Sequence, residues 1–298
     1  MLRKILQGTG VALVTPFNAD FEIDYPALGR VIDFVIRGDV EYLVTLGTTG
    51  ETPTLSKDEK ISLIKFTYEK AANRVPVVVG IGGNNTAELL KDFERFPLDK
   101  AVAVLSTSPY YSKPSQDGLF QHYKTLAEAS PKPIIIYNVP GRSGRNVNAS
   151  TVIRLANEVN QIAGIKEASG DMAQCMQILR DRPDDFLVVS GDDALALPQM
   201  ACGMDGVISV AANSFPERFS EMVRACISRD YKKAKSINDE LMEGYELLFA
   251  ENNPAGVKAA LAELGIIENY LRLPLVPLSQ PLNSRLKSYL MKNFGMKV

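Results

Sequence analysis

Short runs of apolar and β-branched residues recur along the chain, separated by longer stretches in which apolar positions return every three or four residues. The short runs fall at 10–17, 42–47, 76–81, 101–107, 133–137, 163–167, 186–190 and 206–210. Each is apolar almost throughout, as parallel strands buried on both faces must be. The intervening stretches predict helices. Ser56-Lys57-Asp58-Glu59 has the form of a capping box, followed by Ile61, Ile64 and Tyr68 on one face. Asn85, Ser115 and Ser150 open three further helices. Strand-to-strand spacing of about 20–34 residues suits βαβ units.

Repeated units of this kind predict an α/β fold, a (β/α)8 TIM barrel, over residues 1–228. An open doubly wound sheet has the same alternation, and strand count does not by itself prove closure. After about Ser228 the alternation stops. Helical patterns at 230–250, 254–264 and 281–294 then predict a C-terminal helical domain over 229–298.

Composition narrows the chemistry. The chain is 46% hydrophobic and 23% charged, ordinary for a globular protein, with a net charge of −2 from 33 basic and 35 acidic residues. No like-charge block points to nucleic acid or an anionic membrane. Cys175, Cys202 and Cys226 are widely spaced, with no paired or metal-type motif, which predicts a reducing, cytoplasmic setting. No signal-type apolar region follows the N-terminus, and no apolar run is long enough to span a bilayer. With one histidine, His122, and no tryptophan, a histidine-based mechanism or a multi-histidine metal site is not expected.

In a barrel, chemistry collects at the C-terminal ends of the strands. Lys166 lies inside an apolar strand, where burial favours the neutral amine that attacks carbonyls. The alternatives are pairing with Glu167 or another carboxylate, or snorkelling to the rim. Neighbouring strand residues face opposite ways, however, so an ideal strand would not aim Glu167 at the same place. Tyr137 and Thr48 are hydroxyls that can move protons where histidine is scarce; a core tyrosine and turn chemistry are the plainer readings. Arg142, after a Pro-Gly turn, suits a substrate carboxylate or a solvated loop. Tyr110 and Tyr111 read as a loop anchor or an interface. His122 reads as structural or surface. Asp192-Asp193 reads as a cap for the following helix rather than a metal site. Gly80-Ile81-Gly82-Gly83 does not complete a dinucleotide fingerprint.

The motifs GTTGE (47–51), SPYYSKP (108–114), YNVPGRSG (137–144), GIKEASGD (164–171), SGDDA (190–194), GVISV (206–210) and NPAGVKAAL (253–261) together resemble the pyruvate-dependent class I aldolase superfamily. That superfamily contains N-acetylneuraminate lyase and dihydrodipicolinate synthase. Thr49 and Arg142 resemble the synthase branch, whose members (4-hydroxy-tetrahydrodipicolinate synthases) condense pyruvate with L-aspartate 4-semialdehyde in the diaminopimelate route to lysine. The resemblance implies a Schiff base on Lys166 and a proton relay of Tyr137, Thr48 and Tyr111, with Tyr111 donated across a dimer interface. It implies Arg142 for the aldehyde substrate, and Thr49, Gly191 and Ile208 around pyruvate. No metal or organic cofactor is expected. It further implies a homotetramer built from dimers, with the tail serving assembly more than catalysis. An allosteric lysine site would fall at Thr52, Pro53, Lys57, Lys60, Asn84, Glu88 and Tyr110. Responsive members often carry histidine near Lys57 or Lys60; ammonium groups there would repel a cationic effector, so the expectation is weak inhibition or none. The alternatives are a sister aldolase acting on sialic or keto-deoxy sugar acids, and a ligand-binding barrel without catalysis.

Overall fold

The eight apolar runs form eight parallel strands: β1 (Gly8–Ala12), β2 (Tyr42–Thr45), β3 (Val77–Gly80), β4 (Ala103–Thr107), β5 (Ile134–Asn138), β6 (Ile162–Glu167), β7 (Leu187–Ser190) and β8 (Gly206–Ser209). Each pairs with the next, and β8 returns to β1 with Gly10 opposite Ile208, so the sheet is a closed barrel. This computed structural model describes residues 2–295; Met1 and residues 296–298, the outer ends of the two expected domains, lie outside the described residues.

Side-chain alternation sorts the strands into two apolar layers. Ala12, Val44, Val78, Leu105, Ile135 and Val189 fill the barrel interior. Val11, Leu43, Val79, Val104, Ile136 and Val188 face outward into the helix layer. Burial on both faces explains why these strands read as unbroken apolar runs. Leu6, fully buried, belongs to the interior cluster.

The first strand is displaced from its expected span. The run 10–17 leaves the ladder after Ala12, because the Val14 amide donates to Asn213 Oδ1 at 3.2 Å and Pro16 has no amide to offer. The strand gains Gly8 and Thr9 instead, opposite Gly206 and Val207.

The capping box forms as expected: Glu59 N donates to Ser56 Oγ, and Ser56 N donates to Glu59 Oε2 at 2.8 Å, opening the helix Lys57–Ala71. Asn85 and Ser115 cap Thr86–Arg95 and Gln116–Ala129. The next helix, Ala149–Glu158, begins before Ser150, with Asn148 at its N-cap position. Three tail helices follow, Tyr231–Phe249, Ala255–Glu263 and Gln280–Phe294. Their apolar faces merge with the outer barrel layer in one cluster that includes Leu248, Val257 and Leu286. Among the described residues no helix is long and apolar enough to cross a membrane.

His122 is buried rather than on the surface, with Nδ1 2.8 Å from Thr86 Oγ1. Burial disfavours its charged form and pulls its pKa from 6.5 to about 4. As pH falls, the unfolded chain therefore takes up this proton first, and the folded state loses stability between about 6.5 and 4. His122→Gln is expected to remove that loss, on the order of 3 kcal/mol at most. Urea midpoints measured from pH 7 to pH 4 test this: wild type should lose stability relative to the variant across the window, and parallel curves would contradict it.

Candidate active site

A cavity of about 600 Å³ opens at the C-terminal ends of the strands. Thr48, Thr49, Tyr137, Arg142, Lys166 and Gly191 all line it, drawn from five separate loops or strand ends. Thr48 and Thr49 sit on a 3₁₀ turn, Thr48–Gly50, that follows β2. Arg142 lies in a one-turn helix, Pro140–Ser143, just past β5. It is exposed at the mouth, with Nη2 3.4 Å from Asn252 Oδ1.

Tyr137 on β5 stands opposite Lys166 on β6 in the strand register. The Lys166 ammonium lies 4.4 Å from the centre of the Tyr137 ring. Lys166 is only 4% exposed, and no ion pair links it to any described residue. The adjacent carboxylate faces the other way, as period-two alternation requires. Glu167 is fully buried on the outer side of the barrel, where it accepts from Asn138 Nδ2 at 2.9 Å, Gln174 Nε2 at 3.0 Å and Ser169 N at 2.7 Å. Asn138 also accepts from Val147 N at 3.0 Å and donates to Asn146 Oδ1 at 2.8 Å. A buried charge satisfied by several donors is held in place, and these donors fix the β5–β6 pair from behind. The cavity-facing Tyr137 and Lys166 thus have neighbours, Asn138 and Glu167, that are locked on the opposite face.

Gly191 answers to close approach. A Cβ there would lie 2.8 Å from Lys166 Cε and 2.7 Å from Ala168 Cβ, so only glycine lets the loop pass beside the lysine stem. Around the cavity Leu46, Glu51 and Tyr111 hold left-handed backbone at φ 58°, 52° and 71°. Such conformations cost about 1–3 kcal/mol each and persist where surrounding structure enforces them.

The two aspartates divide. Asp192 Oδ1 accepts from Ala194 N at 3.1 Å and Leu195 N at 3.2 Å, just ahead of the helix Ala196–Ala201. Asp193 does not cap that helix. It turns inward, buried, with Oδ2 accepting from Val210 N at 3.1 Å and Ala211 N at 2.8 Å beyond β8. Burial raises its pKa to about 6, against the pull of its hydrogen-bond donors and of the Lys166 charge. Among the described residues no group of three or more His, Cys, Asp or Glu is placed to hold a metal ion.

Two expected site residues lie off the cavity wall. Ile208 is buried in the barrel interior with Tyr137 and Ala12. Tyr111 is 90% exposed. Conversely, the tail supplies Phe249, Asn252 and Asn253 to the wall. Asn253 is buried and its Nδ2 donates to Thr49 Oγ1 at 3.1 Å. The signal for it was the NPAGVKAAL stretch, to which the sequence reading gave no site role.

Thr52, Pro53, Lys60 and Tyr110 line a second cavity of about 310 Å³ that shares Thr48, Tyr137 and Arg142 with the first. Lys57 pairs with Asp92 and lies 3.7 Å from Glu88 Oε2, while Lys91 donates to Glu88 Oε1 at 2.6 Å. Burial lowers the pKa of Lys60. Asn84 is exposed.

The Dihydrodipicolinate synthetase family model matches residues 5–293. The 4-hydroxy-tetrahydrodipicolinate synthase of Flavobacterium psychrophilum is 48% identical over 279 residues, covering 94% of this chain and 95% of its own. The dihydrodipicolinate synthase of Thermotoga maritima superposes with a TM-score of 0.95 at 38% identity, covering 98% of this chain and 100% of its own. A chloride-inhibited dihydrodipicolinate synthase from Acinetobacter baumannii, solved in complex with pyruvate, superposes with a TM-score of 0.94 at 39% identity over 98% of this chain and 100% of its own. With a closed barrel, a buried lysine at its mouth and matches that run nearly end to end, this chain belongs to the dihydrodipicolinate synthetase family.

Proposed function

We propose that the chain condenses pyruvate with L-aspartate 4-semialdehyde, the 4-hydroxy-tetrahydrodipicolinate synthase reaction, through a Schiff base on Lys166. The observation that carries this reading is the buried Lys166 amine, free of any ion pair among the described residues and set against Tyr137 in a cavity large enough for both substrates.

The Lys166 amine attacks the keto carbon of pyruvate. Loss of water gives an iminium, and loss of a methyl proton gives an enamine. The enamine carbon attacks the aldehyde carbon, whose oxygen becomes an alkoxide and takes a proton. The substrate amine then replaces Lys166 at the imine carbon, which closes the ring and frees the lysine. Each step moves a proton between oxygen, nitrogen and carbon. The hydroxyls of Tyr137 and Thr48 on the cavity wall are suited to carry it. Thr49 and the Gly191 loop border the pyruvate end, and the exposed Arg142 guanidinium at the mouth suits the second substrate's carboxylate. Ile208 supports the floor from inside the barrel.

Tyr111 completes the relay in this reading as a side chain given to a second copy of the chain. Its 90% exposure beside the half-exposed Tyr110 supports that role, and with it a dimer-based homotetramer. Residues 1–228 carry the chemistry and 229–298 form the helical domain. Three unpaired cysteines suit a cytoplasmic enzyme.

Turnover tests the reaction. Wild type is expected to consume pyruvate only with aspartate semialdehyde, to release none from sialic or keto-deoxy sugar acids, and to lose at least about 10³-fold in kcat as Lys166→Ala. Pyruvate release from a sugar acid at a comparable rate would favour the sister-aldolase reading.

The positions matching the lysine site support weak inhibition. Glu88, the carboxylate that would receive an effector's ammonium, is already engaged by Lys91 and Lys57. Lysine is expected to inhibit only well above about 1 mM, the upper range of ordinary metabolite affinities. A titration giving half-inhibition below that concentration would overturn this.

A further inference from the structure

Glu51 ends the turn that carries Thr48 and Thr49, yet it does not line the cavity. Its side chain is fully buried, as is that of Lys258 from the tail helix Ala255–Glu263, and the Lys258 ammonium is bonded to Glu51 Oε1. The other oxygen accepts from Arg272 N at 3.0 Å. Lys258 Nζ also donates to Tyr270 O at 2.8 Å and lies 4.2 Å from the centre of the Phe17 ring. The Arg272 side chain donates to Thr54 O at 3.0 Å and to both oxygens of Glu59, tying the far end of the same loop. On the inner side, Asn253 Nδ2 reaches Thr49 Oγ1 at 3.1 Å. Three tail residues therefore grip the segment 49–54 on both sides.

A buried ion pair is a poor source of net stability, since well-packed apolar residues of similar volume do as well or better. What it does supply is direction: a carboxylate fixed by two donors can occupy one position only. Glu51 itself holds φ 52°, a left-handed backbone that this fixation enforces.

We propose that Glu51 and Lys258 are positioning residues for the reaction. Through them the helical tail sets the Thr48–Gly50 turn against Lys166, and so sets the pyruvate end of the site. This rests on the reaction assigned above. The tail then belongs to the catalytic machinery, not to assembly alone.

Removing one partner strands a buried charge and endangers folding unless the remaining group can neutralise. The informative variant is therefore the double Glu51→Gln/Lys258→Met, which removes both charges at nearly constant volume. It is expected to keep its thermal midpoint within a few degrees while KM for pyruvate rises about tenfold or more. KM for the aldehyde, held by Arg142 on another loop, should stay within about twofold. A purely structural role would lower the active fraction and leave both KM values in place. Glu51→Gln alone, in which burial lets Lys258 shed its proton, should show the same selective rise and serves if the double variant does not fold. Active wild type with unchanged KM values in a folded variant would overturn the positioning role alone. Inactive wild type would overturn the reaction and this role together.

Discussion

Successive side chains on a strand face opposite sides of the sheet, and the arrangement of the cavity wall depends on that constraint at the β5–β6 pair. Tyr137 and Lys166 face the cavity as register partners, and Asn138 and Glu167 face outward as the next register pair. The outward pair is tied by the Asn138 amide and by Gln174 and Ser169, so the inward pair is held by polar contacts that never touch the cavity. The alternation keeps the Glu167 charge next in sequence but on the other side of the wall.

The barrel then does the rest by convergence. Parallel strands bring all eight C-terminal ends to one rim, and the cavity wall is assembled from residues far apart in the chain. Gly191 makes room beside the lysine stem, and the tail adds Asn253 on Thr49 to the wall, with Lys258 on Glu51 behind it. Glu51 holds left-handed backbone beside this rim, with its buried side chain fixed by Lys258 and Arg272.

Much of this was legible in the sequence because it follows from local periodicity. Unbroken apolar runs gave all eight strands, and the capping box at Ser56–Glu59 gave a helix start to the residue. The opposed directions of Lys166 and Glu167 followed from strand geometry alone. Strand one was misplaced because apolar content at 13–17 does not reveal that the Val14 amide is taken by Asn213, some two hundred residues away in sequence. Asp193 departs from the expected cap because its partners, the amides of Val210 and Ala211, lie on another loop. No periodicity places Asn253, Lys258 and Arg272 against the turn after β2, although the first two fall in the NPAGVKAAL stretch. Long-range polar contacts leave no periodicity, and only the assembled fold displays them.

The central claim is that the Lys166 amine forms a covalent imine with pyruvate. Treating the folded protein with pyruvate and borohydride, then mapping peptides by mass spectrometry, tests it directly. A single reduced pyruvyl adduct on Lys166 is expected, absent when pyruvate is omitted. No adduct on the folded protein, or an adduct only on other lysines, would contradict it.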